Sequence, residues 1–269
     1  MEMKNYKLFF GFEKEPFGMD ITADEILKTP QLNAAKSRFE YTTDLGAVYL
    51  LTGEIGSGKS TAVRYLLNGL HPSESRIIYV TATTGSILEL YRLILAELGI
   101  TAAGISRAAL CRRIKHEIME SVGKKINTIL VVDEASLLRL EVFCELHTLC
   151  QFEMDSKPFL PLVLAGQSSL NDSLMYPGAM PLASRVVAKS HFIGIDREEM
   201  KAYLLHHLNI AGINTMLFDD TAVTAIHQGS GGIYRKANNL ARGAVVAASI
   251  ENQRSVNAEH VRIAASEIF

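Results

Sequence analysis

Gly53-Glu54-Ile55-Gly56-Ser57-Gly58-Lys59-Ser60 constrains the fold of this chain more than any other stretch. It fits the pattern G-x-x-x-x-G-K-[ST] and lies where a phosphate-binding loop has to lie. The apolar run Ala47-Val48-Tyr49-Leu50-Leu51-Thr52 precedes it, and the helical pattern Thr61-Ala62-Val63-Arg64-Tyr65-Leu66-Leu67 follows it. The glycines let the backbone fold tightly, so that successive N–H groups point inward at an anion. A helix opening near Gly58 adds its positive end. Residues Gly53 to Ser60, with Thr61, are therefore expected to bind a nucleoside triphosphate. Lys59 should reach the β- and γ-phosphates, and Ser60 should hold Mg²⁺.

Further apolar runs predict strands at 46–52, 76–82, 127–132 and 160–165, with a weaker one at 187–193. Helical patterns lie at 31–43, 59–69, 86–98, 106–121, 137–152 and 168–174. Continuous apolar strands alternating with helices imply an α/β unit, a parallel sheet covered by helices on both faces. The end of the chain differs. Segments 196–209, 219–228, 233–250 and 256–267 read as helices, with Asp196 and Asp219 placed as N-caps and Gly229-Ser230-Gly231-Gly232 as a break. The expected organisation is an N-terminal aromatic and helical segment, 1–45, packing on an ATPase domain, 46–194, followed by a small helical lid domain, 195–269.

The bulk numbers narrow the class. With 269 residues, 48% hydrophobic and 21% charged, the chain suits one large globular domain with a small satellite. A net charge of −2 excludes a polycation, so any nucleic-acid contact needs a local patch. Cys111, Cys144 and Cys150 lack C-x-x-C spacing and read as reduced thiols of a cytoplasmic protein, the last two as packing groups. No apolar run approaches the ~20 residues of a membrane span, so no membrane partner is expected. His206-His207 have no further ligands near them and read as helix-surface residues.

Four more places carry chemistry. Asp133-Glu134 closes the strand Thr128–Val132. Asp133 suits a Mg²⁺ site, and Glu134 suits a general base for water attacking the γ-phosphate. Gln167 ends the next strand, where its amide can orient that water. Arg185 lies between that strand and the helical region, where an arginine can project into a neighbouring copy's site. Arg235 follows Gly231-Gly232-Ile233-Tyr234 at a helix start, and its planar fork suits a phosphate.

Together these residues resemble the AAA+ ATPases over almost the whole chain. Residues 53–60 match that family's Walker A motif, 129–134 its Walker B, Gln167 sensor 1, Arg185 the arginine finger and Arg235 sensor 2. More narrowly, Tyr6-x-x-Phe9-Phe10-Gly11-Phe12-x-x-x-Pro16-Phe17, Leu164-Ala165-Gly166-Gln167 and Gly231-Gly232-Ile233-Tyr234-Arg235 are similar to the ExeA-like ATPases. The compact form resembles the transposition helper ATPases of the TnsC, TniB and IstB types. The resemblance implies an ATP- and Mg²⁺-dependent homo-oligomer, ring or filament, that acts on double-stranded DNA and works with a transposase. The N-terminal aromatics would then either pack against the α/β domain and help wall its adenine side or serve plain core packing.

Support for DNA from the residues themselves is one patch. Arg107, Arg112, Arg113, Lys115, Lys124 and Lys125 face Glu117 and Glu120 across residues 107–125, a surplus of four positive charges. Arg107, Arg112, Arg113 and Lys115 are the candidate phosphate contacts, for backbone binding without sequence preference. The alternatives are an ExeA-like ATPase of a secretion or envelope system, a small-molecule phosphotransferase and a nucleotide switch of little turnover. Asp133-Glu134 with Arg235 in a helical appendage argues against the phosphotransferase, and Glu134 against the switch.

Overall fold

The structure, a computed structural model, describes residues 6–102 and 106–268. The first five residues of the N-terminal segment, residues 103–105 and the last residue of the helical lid lie outside the described residues. The elements run α1 (Tyr6–Phe10), α2 (Pro30–Asp44), β1 (Val48–Gly53), α3 (Lys59–Asn68), β2 (Ser75–Thr81), α4 (Ile87–Glu97), α5 (Arg107–Gly123), β3 (Asn127–Asp133), α6 (Leu140–Leu149), β4 (Leu162–Gly166), α7 (Ser169–Met175), α8 (Met180–Ala183), β5 (Val186–Phe192), α9 (Arg197–Ile210), α10 (Asp220–Ser230), α11 (Tyr234–Ile250) and α12 (Ala258–Ile268). They form two units: Lys28–Glu54 with Lys59–Phe192, and Met1–Leu27 with Ile55–Gly58 and Ile193–Phe269.

The first unit is α/β. Its five strands pair in parallel in the order β2-β3-β4-β1-β5. The inner strands explain the long apolar runs. β1 and β4 are buried at every residue and β3 at all but Asn127, which requires helices on both faces. The edge strands β2 and β5 instead mix buried and exposed positions. On one side Tyr91, Ile94 and Leu95 of α4, Leu110, Ile114 and Ile118 of α5, and Phe143 and Leu146 of α6 fill the core. Thr29 caps α2, accepting the Leu32 N–H, and Pro30 occupies its first turn. Tyr49 of β1 meets Phe39 of α2 edge-on, and its hydroxyl donates to Ser190 of β5 at 2.8 Å.

The second unit is helical. Asp196 and Glu199 form a capping box at α9, and the Asp219 carboxylate accepts the Ala222 N–H at α10. α11 buries mostly alanines, Ala237, Ala241, Ala244 and Ala248, with Leu240 and Val245.

Three expectations need correction. Tyr6, Phe10, Phe12 and Phe17 fall in the helical unit. They join the core of the helical unit with Met200, Leu204, Leu240 and Val245. Phe17 stacks on His207 with ring centroids 5.7 Å apart, and Arg242 Nη2 donates to the Phe17 carbonyl at 2.7 Å. The physical reason is size: a few short helices rich in alanine bury too little apolar surface alone, and the aromatic strap supplies it. The segment 1–45 therefore divides at Leu27, and α2 belongs with β1 and β5. His207 is a buried residue, not a surface one, with Tyr203 edge-on to it. Cys144 is exposed, whereas Cys150 is buried, and burial pushes its thiol up to about 12.

Burial lowers the His207 imidazole from 6.5 to about 4, with the neighbouring His206 adding to the effect. Between those values the unfolded chain binds a proton that the folded chain refuses. Stability therefore falls as pH drops from about 6.5 toward 4, by at most about 3 kcal/mol over the window. Urea midpoints of the wild type and of His207→Gln should show it: the variant loses most of the slope between pH 6.5 and 4.5. An equal slope in both would assign the pH dependence to other groups.

Candidate nucleotide site

In the α/β unit, β4 pairs with β1 on one side and β3 on the other. The carboxyl ends of these strands, Gly53, Gly166 and Asp133, are thereby brought side by side, where open α/β sheets bind ligands. Lys59 opens α3, buried to 7% exposure, and its ammonium donates to the carbonyls of Gly53 at 3.0 Å and Glu54 at 2.8 Å. Ser60 follows it, exposed, and Thr61 is half-buried.

Asp133 is 4% exposed, and each of its oxygens accepts a hydrogen bond. Oδ1 accepts from the Glu134 N–H at 2.8 Å and Oδ2 from the Tyr79 hydroxyl at 2.7 Å. Glu134 holds a left-handed backbone, φ +53°. For a residue with a Cβ that conformation costs on the order of 1 kcal/mol. Its side chain is half-buried at the end of β3.

Gln167, half-buried, ends β4 beside the short 3-10 turn Ala135–Leu137. Ser136 Oγ accepts the Gln167 N–H at 2.6 Å, tying the end of β4 to the turn after β3. Gly166 makes this approach possible, since a Cβ there would lie 2.4 Å from Ser136 Oγ. The hydroxyl of Ser60 and the carboxylate of Asp133 are hard oxygen donors, the kind Mg²⁺ takes.

Loop residues Ile55–Gly58 group with the helical unit. Gly56 has φ +83°, and a Cβ on it would lie 2.7 Å from the Arg235 Cβ. The Arg235 N–H donates to the Gly56 carbonyl at 3.2 Å. Gly58, φ +92°, leaves room for the Tyr234 ring, which would stand 3.2 Å from an added Cβ. Only glycine fits these two positions, for backbone and for space. The Ser57 hydroxyl is buried and without a hydrogen-bond partner among the described residues, a polar group suited to an incoming phosphate oxygen. Arg235 stands exposed on the first turn of α11.

Arg185 lies at the other end of the sheet. Its carbonyl accepts the Val48 N–H at the start of β1. Five residue steps of β1 separate Val48 from Gly53, about 17 Å. That is beyond an arginine's reach, so Arg185 cannot serve the phosphate loop of its own chain. Its guanidinium pairs with Asp155, and its Nε donates to His147 Nδ1 at 3.1 Å. Asp155 closes a run of three left-handed residues, Glu153, Met154 and Asp155, with φ of 45°, 56° and 67°.

The basic patch is more neutral than its composition. Arg107 pairs with Glu145 at 3.0 Å and Arg113 with Glu117 at 2.8 Å. Lys115 donates to the Gln151 carbonyl at 2.7 Å and lies over the Phe152 ring. Arg112 is exposed on the same helix.

Comparison with known proteins bears on the fold. Residues 43–174 match the family described as AAA domain. The chain thus carries an AAA-type P-loop fold. It is 29% identical over 98% of its length to the general secretion pathway protein A of Aeromonas hydrophila, and it spans 48% of that protein, about half. Among solved structures it resembles Cdc6p of Pyrobaculum aerophilum, with a TM-score of 0.75 at 15% identity over 94% of this chain and 70% of the other. It also resembles the ORC1 protein of Aeropyrum pernix in complex with DNA, with 0.71 at 20% over 96% and 70%. The RuvB branch migration motor of Thermotoga maritima gives 0.58 at 17% over 92% and 72%. At these identities the solved structures speak for the fold alone. No helix among the described residues is long and apolar enough to cross a membrane.

Sequence reading missed Tyr79, Ser136, Asp155 and His147. Each meets its partner through strand register or a turn, which no local pattern reveals. Ser136→Ala should leave the half-buried Gln167 N–H without its acceptor and cost about 1 kcal/mol. A urea titration of the full chain checks this, and an unchanged midpoint would mean the bond joining the two strand ends contributes nothing.

Proposed function

We propose that this chain binds and hydrolyses ATP with Mg²⁺, assembles with copies of itself in an ATP-dependent ring or filament, and acts on duplex DNA as the helper of a transposase. The observation that carries the reading is the meeting of Lys59, Asp133, Glu134 and Gln167 at adjacent strand ends of one parallel sheet. The loop Gly53–Ser60 and Thr61 bind the triphosphate, with Lys59 on the β- and γ-phosphates. Ser60 and Asp133 would hold Mg²⁺, which when bound neutralises charge on those phosphates. The Glu134 carboxylate takes a proton from the attacking water as its oxygen bonds to the γ-phosphorus in line. The bond to the β–γ bridging oxygen breaks, leaving ADP and phosphate. Gln167 orients that water, and Arg235 contacts the γ-phosphate. Arg185, out of reach of its own loop, serves the site of a neighbouring copy once it leaves Asp155.

DNA action draws support from the likeness to an ORC1 protein solved with DNA and from exposed Arg112 on the basic helix. A second reading, an ATPase of a secretion or envelope assembly system, is favoured by the match of 98% of this chain to 48% of general secretion pathway protein A.

Glu134→Gln should keep ATP binding while turnover falls about 100-fold or more. Hydrolysis at the wild-type rate would remove Glu134 from the base role. Duplex DNA retention in the presence of ATP separates the two readings. The helper reading expects affinity to fall with salt, log K against log salt having a slope of about −0.9 per phosphate contacted. Sound ATP turnover with no DNA retention, or with retention indifferent to salt, would favour the secretion reading.

A further inference from the structure

The group that fixes Asp133 from outside its own strand is Tyr79. It lies on β2, whose residues pair with β3 as Tyr79 with Val131 and Thr81 with Asp133. Residues two apart on a strand share a face, so Tyr79 and Thr81 line the same side. The ring reaches forward along that face, and its hydroxyl meets Asp133 Oδ2 at 2.7 Å. With the Glu134 N–H on Oδ1, the carboxylate is held by one donor on each oxygen. It has no freedom to turn about its Cβ–Cγ bond without losing both. Burial of the ring, followed by the hydrogen bond and the charge of Asp133, pushes the Tyr79 phenol up to about 12. Tyr79 is nevertheless 37% exposed on an edge strand, so its hydroxyl is more than filler for the core. A phenylalanine would satisfy the packing equally well and leave a buried carboxylate oxygen without its donor.

We propose that Tyr79 is a positioning residue for the Mg²⁺-bearing carboxylate: by orienting Asp133 it sets how much Mg²⁺ the chain needs to bind ATP. It touches neither nucleotide nor the reacting atoms. Partners of this kind, one bond removed from a metal, typically change metal affinity by 10- to 100-fold. The inference rests on the reading of Asp133 as the Mg²⁺ ligand.

The test is a Mg²⁺ titration of the full chain at fixed ATP, read as the rise in melting temperature and as binding of a fluorescent ATP analogue, so that neither signal needs turnover. Wild type, Tyr79→Phe, Tyr79→His and Asp133→Asn are compared. Tyr79→Phe should need about tenfold more Mg²⁺ for half its effect, with binding in EDTA unchanged. Tyr79→His, which keeps an N–H donor, should recover part of the loss. A Mg²⁺ midpoint in Tyr79→Phe equal to the wild type's overturns the proposal. So does an equal loss of binding with and without Mg²⁺, which marks a plain structural role. Should Asp133→Asn also keep the wild-type midpoint, the assignment of Asp133 itself fails, a result distinct from the failure of Tyr79 alone.

Discussion

β4 hydrogen-bonds to β1 along one edge and to β3 along the other, and the candidate site depends on that placement. The chain leaves β1, forms β2 and β3 at the far side of the sheet, and returns to insert β4 beside β1. Residues far apart in sequence thereby end their strands within one or two strand spacings of each other. Lys59 follows the first end, Gln167 the second, and Asp133 with Glu134 the third. The link from Ser136 to Gln167 then ties the last two ends together across the gap that Gly166 leaves open. A bulkier residue at 166 would press on that link without touching any charged group.

The helical unit solves a different problem. Its longest helix, α11, presents chiefly alanine to its neighbours. Alanines permit close packing but bury little area each, so stability must come from elsewhere. The segment from Tyr6 to Phe17 supplies it with four buried aromatic rings, held by the Arg242 contact to the Phe17 carbonyl. The chain's first described residues are thus part of a core built mainly from its last ones, and Phe17 accepts a left-handed backbone, φ +58°, to reach it.

Apart from the short helices α1 and α8, which the reading did not place, strands and helices were legible in the sequence to within two or three residues because apolar runs end sharply at Gly53, Asp133 and Gly166 and because Asp196 and Asp219 cap as their positions suggest. The aromatic strap was legible as buried but not as to where. Amphipathic pattern shows that a face is covered and is silent on the covering partner. The same limit hid Tyr79, whose meaning lies in the register of β2 against β3. The charge of residues 107–125 misled in another way: Glu145 and the Gln151 carbonyl, which satisfy Arg107 and Lys115, come from outside the segment.

Glu134 stands where the backbone turns left-handed just after β3. Glycine adopts that conformation freely, and asparagine nearly so, while glutamate has to be held there. Random substitution filtered only by folding would drift away from a carboxylate at this position, because the fold gains when it goes. A glutamate at 134 therefore sits against the preference of its own backbone. The strain is small beside the whole stability of the chain, but it has a direction, and it points away from the residue proposed as the base.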